Sequence, residues 1–151
     1  MRFVLRPAAI LIIGLAALSV AQAQTGSAEQ ELLAAVNQAR RAQGLPALKW
    51  NEALAVAARR HAALMAQHGA VAHGFPGEPA LASRVTQAGA RFVWLSENVV
   101  QASSIEAIQT EFLRSPNHRA NMLDSDMDSV GVGVVERGGQ LFAVEDFSKA
   151  K

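Results

Sequence analysis

The segment Ser115-Pro116-Asn117-His118-Arg119-Ala120-Asn121-Met122-Leu123 concentrates side chains suited to chemistry. Ser115 is placed to cap free backbone N–H groups, and Pro116 suits the first helical position, where a missing N–H costs nothing. His118 then stands in the first turn of a short helix, beside Arg119 and flanked by two asparagines. An imidazole there can exchange a proton near neutral pH or offer a lone pair to a metal. Glu97 is the second candidate. Arg91 to Val100 alternates as a strand, with Val93, Leu95, Glu97 and Val99 on one face and Phe92, Trp94, Ser96 and Asn98 on the other. A carboxylate among three aliphatic side chains is costly unless it is paired, hydrogen-bonded or ligating. The third candidate, His73, lies in a Gly- and Pro-punctuated loop from Val71 to Gly77.

Other polar groupings carry less. Ser115 and His118, three apart, resemble a nucleophile and its base, but capping uses the same hydroxyl and no glycine-rich nucleophile elbow is present. Asp124-x-Asp126-x-Asp128 begins like a calcium loop, yet Ser129 occupies the position of the required Gly and Val135 that of the closing Glu. It reads as a solvated acidic turn. His61 and His68 read as packed or rim histidines bonded to carbonyls. Glu106 and Glu111 read as exposed, because Ile105, Ile108 and Phe112 mark the buried side of their helix.

The elements that must hold these residues follow from periodicity and punctuation. Glu29 to Gln43 is an amphipathic helix, with Leu32, Leu33, Val36 and Ala39 inward, ended by Gly44 and Pro46. Leu45 to Leu48 is an extended connector, with Trp50 anchored before the next helix. Asn51 caps a helix from Glu52 to His68 that Gly69 closes. Pro79 to Ala88 is a further helix, and Ser103 or Ser104 caps another that ends at Leu113. Val130 to Arg137 and Gln140 to Phe147 form a hairpin about Gly138-Gly139. Helices and strands in mixed order indicate a layered α+β domain.

The N-terminal stretch reads as a signal for export. Met1 to Arg6 is basic, Ala8 to Val20 is apolar and uncharged, and Ala21-Gln22-Ala23 matches a small-x-small cleavage site. The expected organisation is a signal peptide over residues 1–23, a linker over 24–28 and one domain over 29–148. The apolar run is short for a membrane span, so no stable membrane anchor is expected after cleavage. Removing Arg2 and Arg6 brings the net charge from +1 to about −1, which leaves no basic footprint for nucleic acid or an anionic membrane. The chain has no cysteine, so an exported product would rely on its apolar core alone, as suits a bacterial periplasm or exterior.

The ordered set Trp50-Asn51-x-x-Leu54, His73, Ser96-Glu97-Asn98-Val99, Ser115-Pro116-Asn117-His118-Arg119-x-Asn121-x-Leu123, Gly131-Val132-Gly133-Val134 and Asp146-Phe147 resembles the CAP superfamily of cysteine-rich secretory, antigen 5 and pathogenesis-related proteins. The likeness extends from Glu29 to Ser148, in the expected order. It implies a three-layer α-β-α sandwich with a central antiparallel sheet, and a surface cleft in which a His-Glu-Glu-His tetrad holds a divalent metal, commonly zinc. Residue by residue, His73 is similar to the first His, Glu97 to the first Glu and His118 to the last His. The second Glu position falls on Ser115, as in many bacterial members, with Phe112 in place of the usual Trp. Ser96 stands where Gly is usual, and Asn117 departs likewise.

Two imidazoles and one carboxylate with open positions are competent for zinc or another divalent cation. Asn98, Ser115 or a backbone carbonyl could orient the metal-binding imidazoles. Arg119 is expected to pair with Glu97 or Asp124, the alternative being a ligand carboxylate or phosphate. The resemblance favours an exported binding module for a small lipid, peptide or envelope component over an enzyme. A zinc-dependent hydrolase and a non-catalytic structural envelope protein are the competing readings.

Overall fold

The computed structural model describes residues 12–151, with side chains described from Gly26 onward. The elements in order are α1 (Ile12–Ala42), β1 (Lys49–Trp50), α2 (Glu52–His68), α3 (Leu81–Gln87), β2 (Phe92–Ala102), α4 (Ile105–Arg114), α5 (Pro116–Met122), β3 (Ser129–Arg137) and β4 (Gln140–Ala150). The first eleven residues of the expected signal peptide lie outside the described residues. Residues 24–28, expected as a linker, are instead helical and continuous with α1. Ala28 packs against the core, and the buried Glu29 takes both Nε and Nη2 of Arg59 at 2.8 and 2.6 Å, so helix is favoured through this region. Among the described residues no helix is long and apolar enough to cross a membrane.

The helix starts follow the sequence closely. The Asn51 side chain accepts from the N–H groups of Ala53 and Leu54, Ser104 accepts from Ala107, and Ser115 accepts from His118 with Pro116 in the first helical turn. Each cap satisfies a backbone donor that the helix itself leaves free.

Four strands form one sheet in the order β1-β3-β4-β2. β3 and β4 pair antiparallel about the expected turn, where Gly138 and Gly139 have φ of 61° and 75°, the left-handed values a two-residue hairpin turn needs. β4 also pairs antiparallel with β2, but the two-residue β1 joins β3 in parallel, so the sheet is mixed rather than wholly antiparallel. On one face Val130, Val132, Val134, Ala143 and Phe147 meet Leu32 and Val36 of α1, Ile108 and Phe112 of α4, and Met122 of α5. On the other, Val99, Phe142 and Val144 meet Ala58, Ala62 and Met65 of α2. Helical layers on both faces of a sheet are the expected α-β-α sandwich.

Two features fix how tightly the layers sit. Gly131 and Gly133 face α2, and a Cβ on either would fall inside the α2 backbone at Leu54–Ala55 and Ala58–Arg59 respectively. The Ala-rich face of α2 therefore lies directly on β3. On the opposite side, the buried Arg40 donates from Nε to Pro46 O (2.8 Å), from Nη1 to Met122 O (2.9 Å) and Asp124 O (2.8 Å), and from Nη2 to Met127 O (3.2 Å). It ties the end of α5 and the acidic turn to α1. At the start of β2 the alternation fails: a register shift between Phe92 and Trp94 leaves Val93 and Trp94 exposed, and regular alternation resumes from Leu95.

The backbone overlap at Gly133 cannot be relieved by a rotamer change. Gly133→Ala should destabilise by about 3 kcal/mol or more, read as a fall in the urea midpoint. Gly74→Ala, where an added Cβ meets nothing within 4 Å, is the control expected to leave the midpoint nearly unchanged.

Candidate functional site

β2 is the edge strand of the sheet, and the three candidate residues gather along it from both sides. Glu97 points to the α2 face. There its side chain is 3% exposed, and its pairing partner across β4 is the buried Asp146. His73, in the loop between α2 and α3, reaches the same carboxylate with Nδ1 at 2.9 Å from Glu97 Oε1 while its side chain stays 65% exposed. His118 comes from α5 on the opposite face and is half-buried. Burial lowers its pKa from the ordinary value of 6.5, and the nearby His73 lowers it further, which favours the neutral imidazole. Its Nδ1 is buried without a hydrogen-bond partner, and its ring meets Phe112 edge-on at 5.3 Å.

Glu97, expected to offer itself to a metal, has both oxygens engaged. Oε2 is bound by Arg84 Nη2, and Oε1 by His73. Arg84 is itself buried and donates through Nη1 to Glu78 Oε1 (3.0 Å) and to the backbone carbonyl of His73 (3.2 Å). Glu78 continues the chain: Oε1 lies 2.7 Å from His61 Nδ1, and Oε2 accepts from the N–H of Phe75 (3.1 Å). His61 Nε2 meets the carbonyl of Ala72 at 2.8 Å, a packed histidine as its sequence position indicated. Apart from the contact of Arg84 Nη1 with His61 Nδ1 (3.1 Å), the bonds in this buried set end on the loop carrying His73 or on Glu97. Removing one partner from such a cluster leaves an uncompensated charge, so the set holds together as a unit. Asp146, behind Glu97, is pushed well above the usual carboxylate range, first by burial and then by the Glu97 charge.

On the other face, side-chain amides dock α5. Asn98 Nδ2 donates to the carbonyl of His118 (3.1 Å) and to Glu145 Oε2 (3.2 Å). Asn121 Nδ2 donates to Asn98 Oδ1 (2.9 Å) and to the carbonyl of Glu97 (3.3 Å), covering the open edge of β2. Asn98 therefore supports His118 through its backbone, and Ser115 acts as the helix cap. Burial raises Glu145 to about 8, only partly offset by the Asn98 hydrogen bond, so it carries a proton at neutral pH.

Arg119 differs from expectation. It is exposed and pairs with neither Glu97 nor Asp124. The cation that Glu97 requires is Arg84, which sequence reasoning did not select. A signal existed: Leu81, Arg84, Val85 and Ala88 recur at helical spacing, which places Arg84 on the inward stripe of α3. The acidic turn is internally bonded, with Asp124 Oδ1 accepting from the N–H of Asp126 at 2.8 Å.

Among the described residues no three His, Cys, Asp or Glu side chains converge closely enough to hold a metal ion. What the cleft offers is narrower. His73 is held by a carboxylate on Nδ1, which leaves Nε2 for a ligand, and His118 has a depressed pKa and an orphaned buried nitrogen. A carboxylate bonded to the far nitrogen of an imidazole is the usual support of a metal-binding histidine. A divalent cation in this cleft would have two imidazoles as its protein donors, His73 backed by Glu97 and His118, with water or ligand to complete it.

The chain resembles known proteins in sequence and in fold. The sequence matches the model of the cysteine-rich secretory protein (CAP) family over residues 33–147. No curated protein sequence matches it. An extracellular SCP-domain protein of Bacillus anthracis is similar in structure, with a TM-score of 0.77 and 25% identity over 83% of this chain and 41% of that one. This chain thus spans about two fifths of the length of that relative. An outer surface protein of Borrelia burgdorferi has a TM-score of 0.76 and 18% identity, covering 83% of this chain and 94% of its own. NaASP2, solved with Zn2+, has a TM-score of 0.59 and 13% identity, covering 82% of this chain and 80% of its own.

The buried Glu145 makes stability depend on pH. Its folded pKa of about 8 lies above its unfolded value of 4.5, so its contribution is complete below 4.5 and is lost as pH rises toward 8. Glu145→Gln keeps an acceptor for Asn98 and removes that loss. Urea unfolding should show the variant gaining on wild type between pH 4.5 and 8, by up to about 1.4 kcal/mol per pH unit, and matching it at pH 4. Parallel curves across that range would contradict the assignment.

Proposed function

The chain belongs to the cysteine-rich secretory protein (CAP) family, and on that premise we propose that it is an exported binding domain whose cleft takes a divalent cation, with zinc the first candidate, between His73 and His118. The observation that carries the reading is the 2.9 Å contact of Glu97 Oε1 with His73 Nδ1 beside a His118 whose pKa is depressed. A bound cation would supply Lewis acidity and a fixed positive charge in the cleft. The protein's own part is positional. Arg84 and Glu97 hold the His73 ring and its backbone, while Asn98 holds the carbonyl of His118. Arg119, exposed and next to His118, supplies a positive charge for the headgroup or carboxylate of a small lipid, peptide or envelope component.

A hydrolytic use of the same cleft would need a general base within reach of the attacking water. Glu97 is committed to His73 and Arg84, which favours binding over catalysis. Export, to the periplasm or the exterior, rests on the signal-peptide pattern of residues 1–23 and agrees with a fold relative described as extracellular.

Elemental analysis and calorimetric titration with zinc provide the test. The protein should bind one zinc near neutral pH, and His73→Ala and His118→Ala should each weaken binding by at least about 100-fold. Glu97→Gln should weaken it less, by about 10-fold, because it loosens a support and removes no nitrogen. Protons should begin to compete at His118 only below the ordinary imidazole value of 6.5, so affinity falls as pH drops further. A protein that takes up no divalent metal, or histidine variants that bind as wild type does, would rule the reading out.

A further inference from the structure

Apolar side chains stand in water at one end of the sheet. Among the described residues the exposed large hydrophobic side chains are Val71, Val93 and Trp94, and the last two are neighbours on β2, 63% and 60% exposed. The register shift between Phe92 and Trp94 turns both outward, while Phe92 and Leu95 on either side pack against Leu54, Val85 and Ala90. Cations flank the pair. Lys149 stands directly across from Trp94 on β4, and cross-strand partners share a face. The N–H of Lys151 donates to the carbonyl of Arg91 at 3.4 Å, which brings those two residues together just before β2. Arg91 and Lys151 are exposed and meet no carboxylate among the described residues. Two carboxylates lie close by. Asp126 is 3.9 Å from Lys149, at the limit of an ion pair, and Asp128 accepts from the Ser129 hydroxyl and the N–H of Ala150. Cations are thus in local excess at this end of the sheet, which the overall charge of the chain conceals.

The bulge decides what kind of partner fits. An open strand edge ordinarily accepts another strand, but a bulge breaks the row of donors and acceptors that such pairing needs. Next to it, Asn121 already takes the outward carbonyl of Glu97. What remains is a side-chain surface, a tryptophan and a valine among basic groups. Tryptophan favours the headgroup region of a bilayer, where its ring meets hydrocarbon and its N–H meets polar groups. Basic side chains beside it reach anionic headgroups. We propose that this end of the sheet is a peripheral membrane site that docks on a bilayer of anionic phospholipid. Trp94 and Val93 enter the headgroup region, and Arg91, Lys149 and Lys151 contact the phosphates. Binding is reversible, since so few apolar groups and charges fall short of a stable anchor. The site uses neither His73 nor His118, so it stands whether or not they bind zinc.

Vesicle binding tests it, with the chain from Gln24 onward, the expected product of export, which retains every core residue among those described. A chelator is present throughout, which keeps the histidine cleft out of the readout. On vesicles of phosphatidylcholine and phosphatidylglycerol in equal parts, co-sedimentation should reach half-saturation at about 1 mM lipid, weaker than one myristoyl chain gives. Tryptophan emission should shift to the blue. Trp94→Ala should weaken binding about ten-fold and remove the shift. Its urea midpoint should stay unchanged, because the side chain is exposed. Lys149→Gln and Lys151→Gln should each weaken binding about five-fold. Vesicles of phosphatidylcholine alone, or salt raised to about 0.5 M, should leave little binding. An absence of binding up to about 10 mM lipid overturns the proposal. Equal binding to neutral vesicles, or variants that bind as wild type does, would overturn it too. So would a concentration-dependent dimer that Trp94→Ala abolishes, which would assign the patch to a second copy of the chain.

Discussion

The pairing of Glu97 with Arg84 is the constraint on which the rest of the site depends. A carboxylate on the α2 face of an edge strand, almost wholly out of water, needs a cation, and the nearest structural solution is an arginine from the inward stripe of α3. Once Arg84 lies there, its second nitrogen takes the carbonyl of His73 and Glu78, and Glu78 takes His61 and the N–H of Phe75. The loop from Val71 to Gly77 is thereby held from within rather than by its own turn chemistry. The exposed His73 ring is thus a fixed group on an otherwise open surface, which is how a cleft gains definition without deep walls.

The opposite side of β2 solves a different problem by neutral means. Helix α5 is short and cannot be stable alone, so its position depends on what it packs against. Met122 enters the core, Arg40 holds the helix end, and Asn98 and Asn121 bond the carbonyls of His118 and Glu97. Glu145 beneath Asn98 is protonated at neutral pH, which lets a carboxyl group sit in an apolar layer without a counter-ion. The charged network under His73 and the neutral one under His118 meet at two adjacent residues, Glu97 and Asn98. Alternation along one strand sends each to a different face, so a single segment of β2 positions both histidines.

Much of this was legible in the sequence. Capping residues marked the starts of α2, α4 and α5, and Gly138-Gly139 marked the hairpin, because caps and tight turns are decided by neighbours in the chain. The burial of Glu97 followed from alternation. Its partner did not, since ion pairs between elements depend on how helices dock: Arg119 drew the expectation because it adjoins His118 in the chain, while Arg84 is the cation that lies beside Glu97 in space. The helical course of residues 24–28 was hidden for a similar reason, as the Glu29–Arg59 pair acts across thirty residues. The parallel pairing of β1 rests on two residues that no periodicity could reveal. The role of Gly131 and Gly133 was visible only as a Gly-Val alternation until α2 was seen lying on them.

The central claim is that Glu97 orients His73 and does not itself bind the cation. A crystal structure of the zinc-loaded protein, with anomalous scattering to identify the metal, tests it most directly. The account predicts zinc bound through nitrogens of His73 and His118, with Glu97 still bonded to His73 Nδ1 and Arg84. Zinc absent from this cleft, or bound through a Glu97 oxygen with Arg84 displaced, would contradict it.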